Sequence, residues 1–291
     1  MTRHSDDTPG LEERPMQSNN PVFRRSEEFN TAGAQRQAGY SDPSTWGTGT
    51  PGQPGLQTPV ATGGPMTIDS VVQKTAIALG VVILTAAATW ILSPDVSENT
   101  LPADISGLIA AATIGSLLAF VLSMVNSFKR VISPGLVLLF CAAEGVALGA
   151  ISKVFELAYP GIVMSAVIGT FGAFAGTLAV YKFFNIKVTD KFRRMVVAAM
   201  LGVVAISLIE VVLSLFGAQI GLFEDGKLGL LFAVVGLALG VFMLVLDFDF
   251  VEQGVANGLP DREGWRAAFA MTVSLVWIYT NLLRILAIMR D

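Results

Sequence analysis

Three carboxylates fall within six residues in FMLVLDFDFVEQGV (Phe242 to Val255): Asp247, Asp249 and Glu252. Two further acids interrupt apolar runs, Glu144 in LLFCAAEGVALGAIS and Glu210 in VVAISLIEVVLSLFG. An acidic side chain at the centre of a membrane helix costs about 2.5–3.5 kcal/mol on insertion scales, so each of the five invites a reason. Carboxylates in that setting can pass protons along a relay or offer oxygen ligands to a hard cation such as Ca²⁺. They can also do something plainer, which is to lock helices together by hydrogen bonds. By position in their runs, Glu210 lies in the outer half of the membrane, Glu144 near the middle and Asp247 near the inner end. A ladder of this kind suits an ion or proton path, although depth alone does not make the three face one another.

Other chemistry has little to work with. The one histidine, His4, sits in a polar stretch, so no His-based zinc site or Ser-His-Asp triad can be built inside the apolar region. The single cysteine, Cys141, excludes an internal disulfide and reads as a small core residue within an apolar run. The expectation is a protein that is not an enzyme and holds no resident cofactor, with Ca²⁺ or H⁺ entering only as transported ions. A net charge of −4 argues against a nucleic-acid binder, which would carry a basic face.

The elements that must position these acids are membrane helices. Of 291 residues, 53% are hydrophobic and only 14% charged, and the mean hydropathy of +0.62 is far above that of soluble domains. Seven runs are long enough to cross about 30 Å of hydrocarbon: roughly 71–92, 106–126, 132–152, 161–184, 195–217, 228–248 and 265–289. Each must be helical, because an unpaired backbone in lipid is too costly. Pairs of glycines four apart (Gly145 and Gly149, Gly172 and Gly176, Gly236 and Gly240) would let helices approach closely. Residues 1–66, rich in Gly, Pro, Ser, Thr and Gln, cannot bury enough apolar surface to offset their chain entropy and read as a disordered tail.

Lys and Arg cluster in that tail and in the even-numbered connections, above all Lys187, Lys191, Arg193 and Arg194 in the fourth. The bias places the tail in the cytoplasm, the C-terminus outside, and the chain in the plasma membrane.

The sixth run need not stop at residue 248. FVEQGVAN has no breaker before NGLPD (Asn257 to Asp261), so the helix extends to about Val255 and Asp247 lies some two turns inside it. The last two helices then form a hairpin about Pro260, in which Asp247 is level with Ser274. Asp249 and Glu252 become mouth residues, while Ser274 taken alone is a helix-packing hydroxyl. Asn281 and Arg284 lie further along the seventh helix. Arg284, roughly 15 Å beyond Ser274, either snorkels to the outer surface or pairs with Glu210 or Glu144.

AEGVALGAIS in the third span, LDFDFVEQ closing the sixth and NLLRILAIM in the seventh resemble the Bax inhibitor-1/YccA family, and SNNPVFRR (Ser18 to Arg25) resembles the start of its bacterial branch. The resemblance covers about residues 18–291 and implies an all-α bundle of seven transmembrane helices with the seventh central, wrapped by the other six. It also implies a pH-sensitive calcium leak, latched in relatives by two aspartates that share a proton. Asp247 matches the first of these aspartates, whereas Ser274 stands where the second should be. The second span, SGLIAAATIGSLLAFVLSMVN, lacks the arginine that pairs with the dyad in relatives. The switch therefore cannot be carried over whole, since one carboxylate opposite a serine lacks the coupled titration of two. The resemblance further implies that Met16, just before SNNPVFRR, is an alternative start. A second expectation, in the manner of the YccA branch, is a non-transporting protein that binds a membrane protease or other membrane-protein machinery through its tail and loops.

Overall fold

The computed structural model describes residues 64–94, 102–184, 186–224 and 226–290. Most of the expected tail, with Met16 in it, lies outside the described residues. Among the described residues seven α-helices follow one another: α1 (Ile68–Leu92), α2 (Pro102–Phe128), α3 (Pro134–Ala158), α4 (Ile162–Phe183), α5 (Asp190–Leu215), α6 (Lys227–Ala256) and α7 (Gly264–Ile288). A 3₁₀ turn, Asp261–Glu263, joins the last two. All seven are long and apolar enough to cross a membrane.

Several helices begin earlier than their apolar runs because polar residues cap them. Thr67 accepts a hydrogen bond from the Ser70 N–H, and Ser70 reaches back to the Thr67 N–H. This capping box starts α1 three residues before the apolar run. Thr189 likewise accepts from the Phe192 N–H and starts α5 at Asp190. At the end of α6, Gly258 adopts a left-handed conformation (φ 64°), which glycine enters without a Cβ clash. The Leu259 N–H then bonds the Gly254 carbonyl and the Gly258 N–H the Val255 carbonyl, the paired bonds of a Schellman motif. α6 therefore runs past all three of its acids to Ala256.

α7 is the least apolar of the seven helices, yet half of its spanning stretch is buried inside the protein. A helix that meets protein on most sides need not be lipid-soluble all round. It contributes to two apolar clusters. Phe269, Tyr279 and Leu283 join Val137, Phe140 and Leu148 of α3 and Ile162 and Ala166 of α4. Ala267, Met271 and Ile278 join Leu244, Phe248 and Val251 of α6 and Tyr181 of α4. Direct packing on α7 comes chiefly from α1, α3, α4 and α6, while α2 packs on α3 and α5 on α6.

The glycine pairs differ in use. A Cβ at Gly145 would strike Thr85 Oγ1 and the Val82 carbonyl of α1, and one at Gly149 the Ala86 carbonyl, so α1 and α3 touch almost backbone to backbone. Gly236 and Gly240 receive Asn281, Trp277 and Ile278 of α7. Gly172 and Gly176 have nothing within 4 Å.

The expected tail boundary at residue 66 needs correction. Met66 is fully buried, its N–H bonds the Leu259 carbonyl at 2.7 Å, and the Asp261 N–H bonds the Gly64 carbonyl at 3.0 Å. These bonds flank an antiparallel bridge between Pro65 and Pro260. In such a pair the two opposed residues exchange no hydrogen bond, so two prolines fit without losing one.

Candidate functional site

The hairpin of α6 and α7 places Asp247 against Ser274. The Ser274 hydroxyl donates to Asp247 Oδ2 at 2.6 Å, at the register that equal distance from the turn predicts. Asp247 is 8% exposed and Ser274 is fully buried. Asp247 lies nine residues before the end of α6, about 14 Å at 1.5 Å per residue. An ionised carboxylate has about four acceptor positions, and among the described residues this one meets a single side-chain donor, a hydroxyl that can rotate.

About half a turn and one and a half turns nearer the hairpin turn, the other two acids are claimed by neighbouring helices. Asp249 Oδ2 takes a hydrogen-bonded ion pair from Arg193 of α5 at 2.7 Å and a bond from the Gln253 amide, also at 2.7 Å. Glu252 accepts from the Tyr181 hydroxyl of α4 at 2.6 Å. The expectation of Asp249 as a solvated mouth residue is thus corrected: it is buried, and Arg193 binds it. Acid at this end of α6 opposes the helix dipole, and the cation of the fourth connection offsets it.

Glu210 sits at the opposite end of the bundle and is 4% exposed. Its carboxylate accepts from three successive backbone N–H groups, those of Ile220, Gly221 and Leu222, at 2.9–3.3 Å. Gly221 at φ 88° lets the chain wrap round the carboxylate as an anion nest. Arg284 holds the same loop from α7: it donates to the Leu222 carbonyl at 2.7 Å and lies 5.2 Å from the centre of the Phe223 ring. Glu210 and Arg284 are therefore connected through the loop.

Glu144 is half-buried on α3, and among the described residues its carboxyl has no hydrogen-bond partner. It lies in line with Leu148, Ile151 and Phe155, four, seven and eleven residues further along the same face. Ile151 and Phe155 line a cleft of about 320 Å³, closed on its other side by Phe223, Thr280, Leu283, Arg284 and Ala287. Asn281 belongs elsewhere: it packs over Gly236 and donates to the Trp277 carbonyl, while the Trp277 indole N–H bonds the Gly236 carbonyl.

The five acids do not converge. Asp247 lies between α6 and α7, Glu144 belongs to α3 on the other apolar cluster, and Glu210 is committed to its loop. Among the described residues no group of three or more His, Cys, Asp or Glu could hold a metal ion. Sequence reasoning missed the partners Arg193 and Tyr181, and Lys74, which pairs with Asp261 at 2.7 Å.

Seven membrane-spanning helices among the described residues, the least apolar of them (α7) packed against α1, α3, α4 and α6, with a buried acid on the last hairpin, define a multi-pass membrane protein. The family model described as Bax inhibitor 1 like matches residues 20–291, and the chain belongs to that family. Among the curated proteins, none matches.

Proposed function

We propose that this protein is a cation leak of the plasma membrane, carrying calcium or protons and modulated by pH, with Asp247 at the inner gate. The observation that carries this reading is the unsaturated carboxylate of Asp247, buried between α6 and α7 and met by one rotatable hydroxyl. Losing or gaining a proton there reverses which oxygen donates, and so changes the bond that joins the two helices. Of the charged and titratable groups on the helices packed against α6, Tyr181 of α4 is engaged by Glu252, Arg193 of α5 by Asp249, Lys74 of α1 by Asp261, Tyr279 of α7 by Ser152, Arg266 of α7 by Glu263, Arg284 of α7 by the Leu222 carbonyl and Glu210 of α5 by its loop, while Asp69, Lys182, Asp190, Lys191 and Arg194 stand near helix ends. Glu144, with no hydrogen-bond partner and in line with the cleft walls, is the next station toward the outside, with Arg284 at the cleft. The Lys and Arg bias supports an orientation with the α6–α7 turn in the cytoplasm and the C-terminus outside.

The test is calcium flux into liposomes across a range of pH, for the native chain and for Asp247→Asn. Flux that varies with pH in the native protein and not in the variant is expected. No flux at any pH, or an unaltered pH response in the variant, removes the reading.

A further inference from the structure

The α6 end lacks something that residues before α1 supply. In a Schellman motif the residue after the left-handed position packs on an apolar side chain one turn back. Here the first is Leu259 and the second is Gly254, which has no side chain. Met66 fills the space: a Cβ placed on Gly254 would meet the Met66 sulfur at 3.0 Å and Leu259 Cδ1 at 3.4 Å. Met66 is only 1% exposed, although it follows a Gly- and Pro-rich stretch. The backbone bonds on either side of the Pro65–Pro260 bridge hold it in register. Two further contacts steady the turn: Lys74 binds both the carbonyl and the carboxylate of Asp261, and Arg266 donates to the Arg130 carbonyl at 3.0 Å.

We propose that Gly64–Thr67 is an intramolecular clamp on the α6–α7 turn, whose seating keeps the helices bearing Asp247 and Ser274 together and whose release lets them part. Unlike Lys74 and Arg266, the clamp ties down backbone on both sides of Pro260 and completes the end of α6. The coupling to ion passage rests on the leak reading above, whereas the seating itself does not.

The experiment separates the two. In a Cys141→Ala background of the full chain, Pro65→Cys and Pro260→Cys place thiols at a pair whose Cα atoms are about 4.5 Å apart in this type of bridge, within the range a disulfide spans. Calcium flux in liposomes is compared for the oxidised and reduced forms, and deuterium exchange over residues 245–275 for the native chain, Met66→Asp and Gly254→Leu, the last of which expels Met66 from the other side. The clamp predicts flux at least tenfold lower when oxidised than when reduced, and faster exchange around Asp247 and Ser274 in both release variants. If the liposomes conduct equally in both redox states, the clamp is overturned as a control of the path. If no form conducts, the leak reading fails, and exchange alone decides: faster exchange in the release variants supports the clamp and unchanged exchange overturns it.

Discussion

Glu210 and Asp247 are both buried acids in apolar helices, at opposite ends of the same bundle, and their surroundings differ in one respect that decides their roles. Glu210 meets three backbone N–H groups on a loop that folds round it. Those donors are fixed by the chain path and leave the carboxylate little capacity for a ligand. Asp247 meets one hydroxyl on a neighbouring helix. Among the described residues no second side-chain donor fills its remaining acceptor positions, and its one bond is to a hydroxyl that can rotate. The same residue type serves as a structural staple in one place and as a candidate switch in the other, and the number and rigidity of the donors tells them apart.

The comparison predicts its own failures. Glu210→Ala leaves three N–H groups without their acceptor, that of Leu222 buried and those of Ile220 and Gly221 partly so, and should cost on the order of 2–3 kcal/mol of stability, read as a lower melting temperature in detergent. A loss under about 1 kcal/mol would mean the nest does not hold the loop. Arg193→Ala leaves Asp249 buried without its cation. Because Arg193 is itself 36% exposed at its side chain, the expected loss is smaller, about 1–2 kcal/mol, and it should shrink in the double variant that also carries Asp249→Asn. Asp247→Asn keeps an acceptor for Ser274, so stability should move by less than about 1 kcal/mol while the pH response of flux disappears; a large destabilisation would make Asp247 a staple like Glu210. Ser274→Asp should have the mildest effect on folding at low pH, yet it places two carboxyls together that cannot both ionise freely. Flux should then follow pH in two steps, and a single step would show that the two side chains do not share a site.

What could be read from the chain beforehand divides along similar lines. The seven helices were legible because lipid forces long apolar runs into helices, and the Asp247–Ser274 register because a hairpin turn imposes symmetry of depth. Glu210's partners were not, because three N–H groups converge only through the backbone path of a loop containing Gly221, which side-chain types do not encode. Arg193 was visible as part of a basic connection, but nothing in its local sequence points to Asp249, 56 residues away. Met66 was hidden by composition, one apolar residue at the end of a polar stretch, although the Thr67–Ser70 pair beside it is a local capping signal. Gly145 and Gly149 looked no different from Gly172 and Gly176 in spacing, and only the first pair meets another helix.

The strap ahead of α1 also has a consequence for how the protein is made. Its partners around Asp261 lie 187 residues beyond Lys74 in the chain, so during synthesis the strap emerges long before anything it can bind. It must wait until six helices have entered the membrane and the α6–α7 turn has formed on the correct side. Its seating is therefore among the last events of assembly, and a chain with a misinserted helix would present that turn on the wrong face and leave Met66 uncovered, a mark by which an incomplete molecule differs from a finished one.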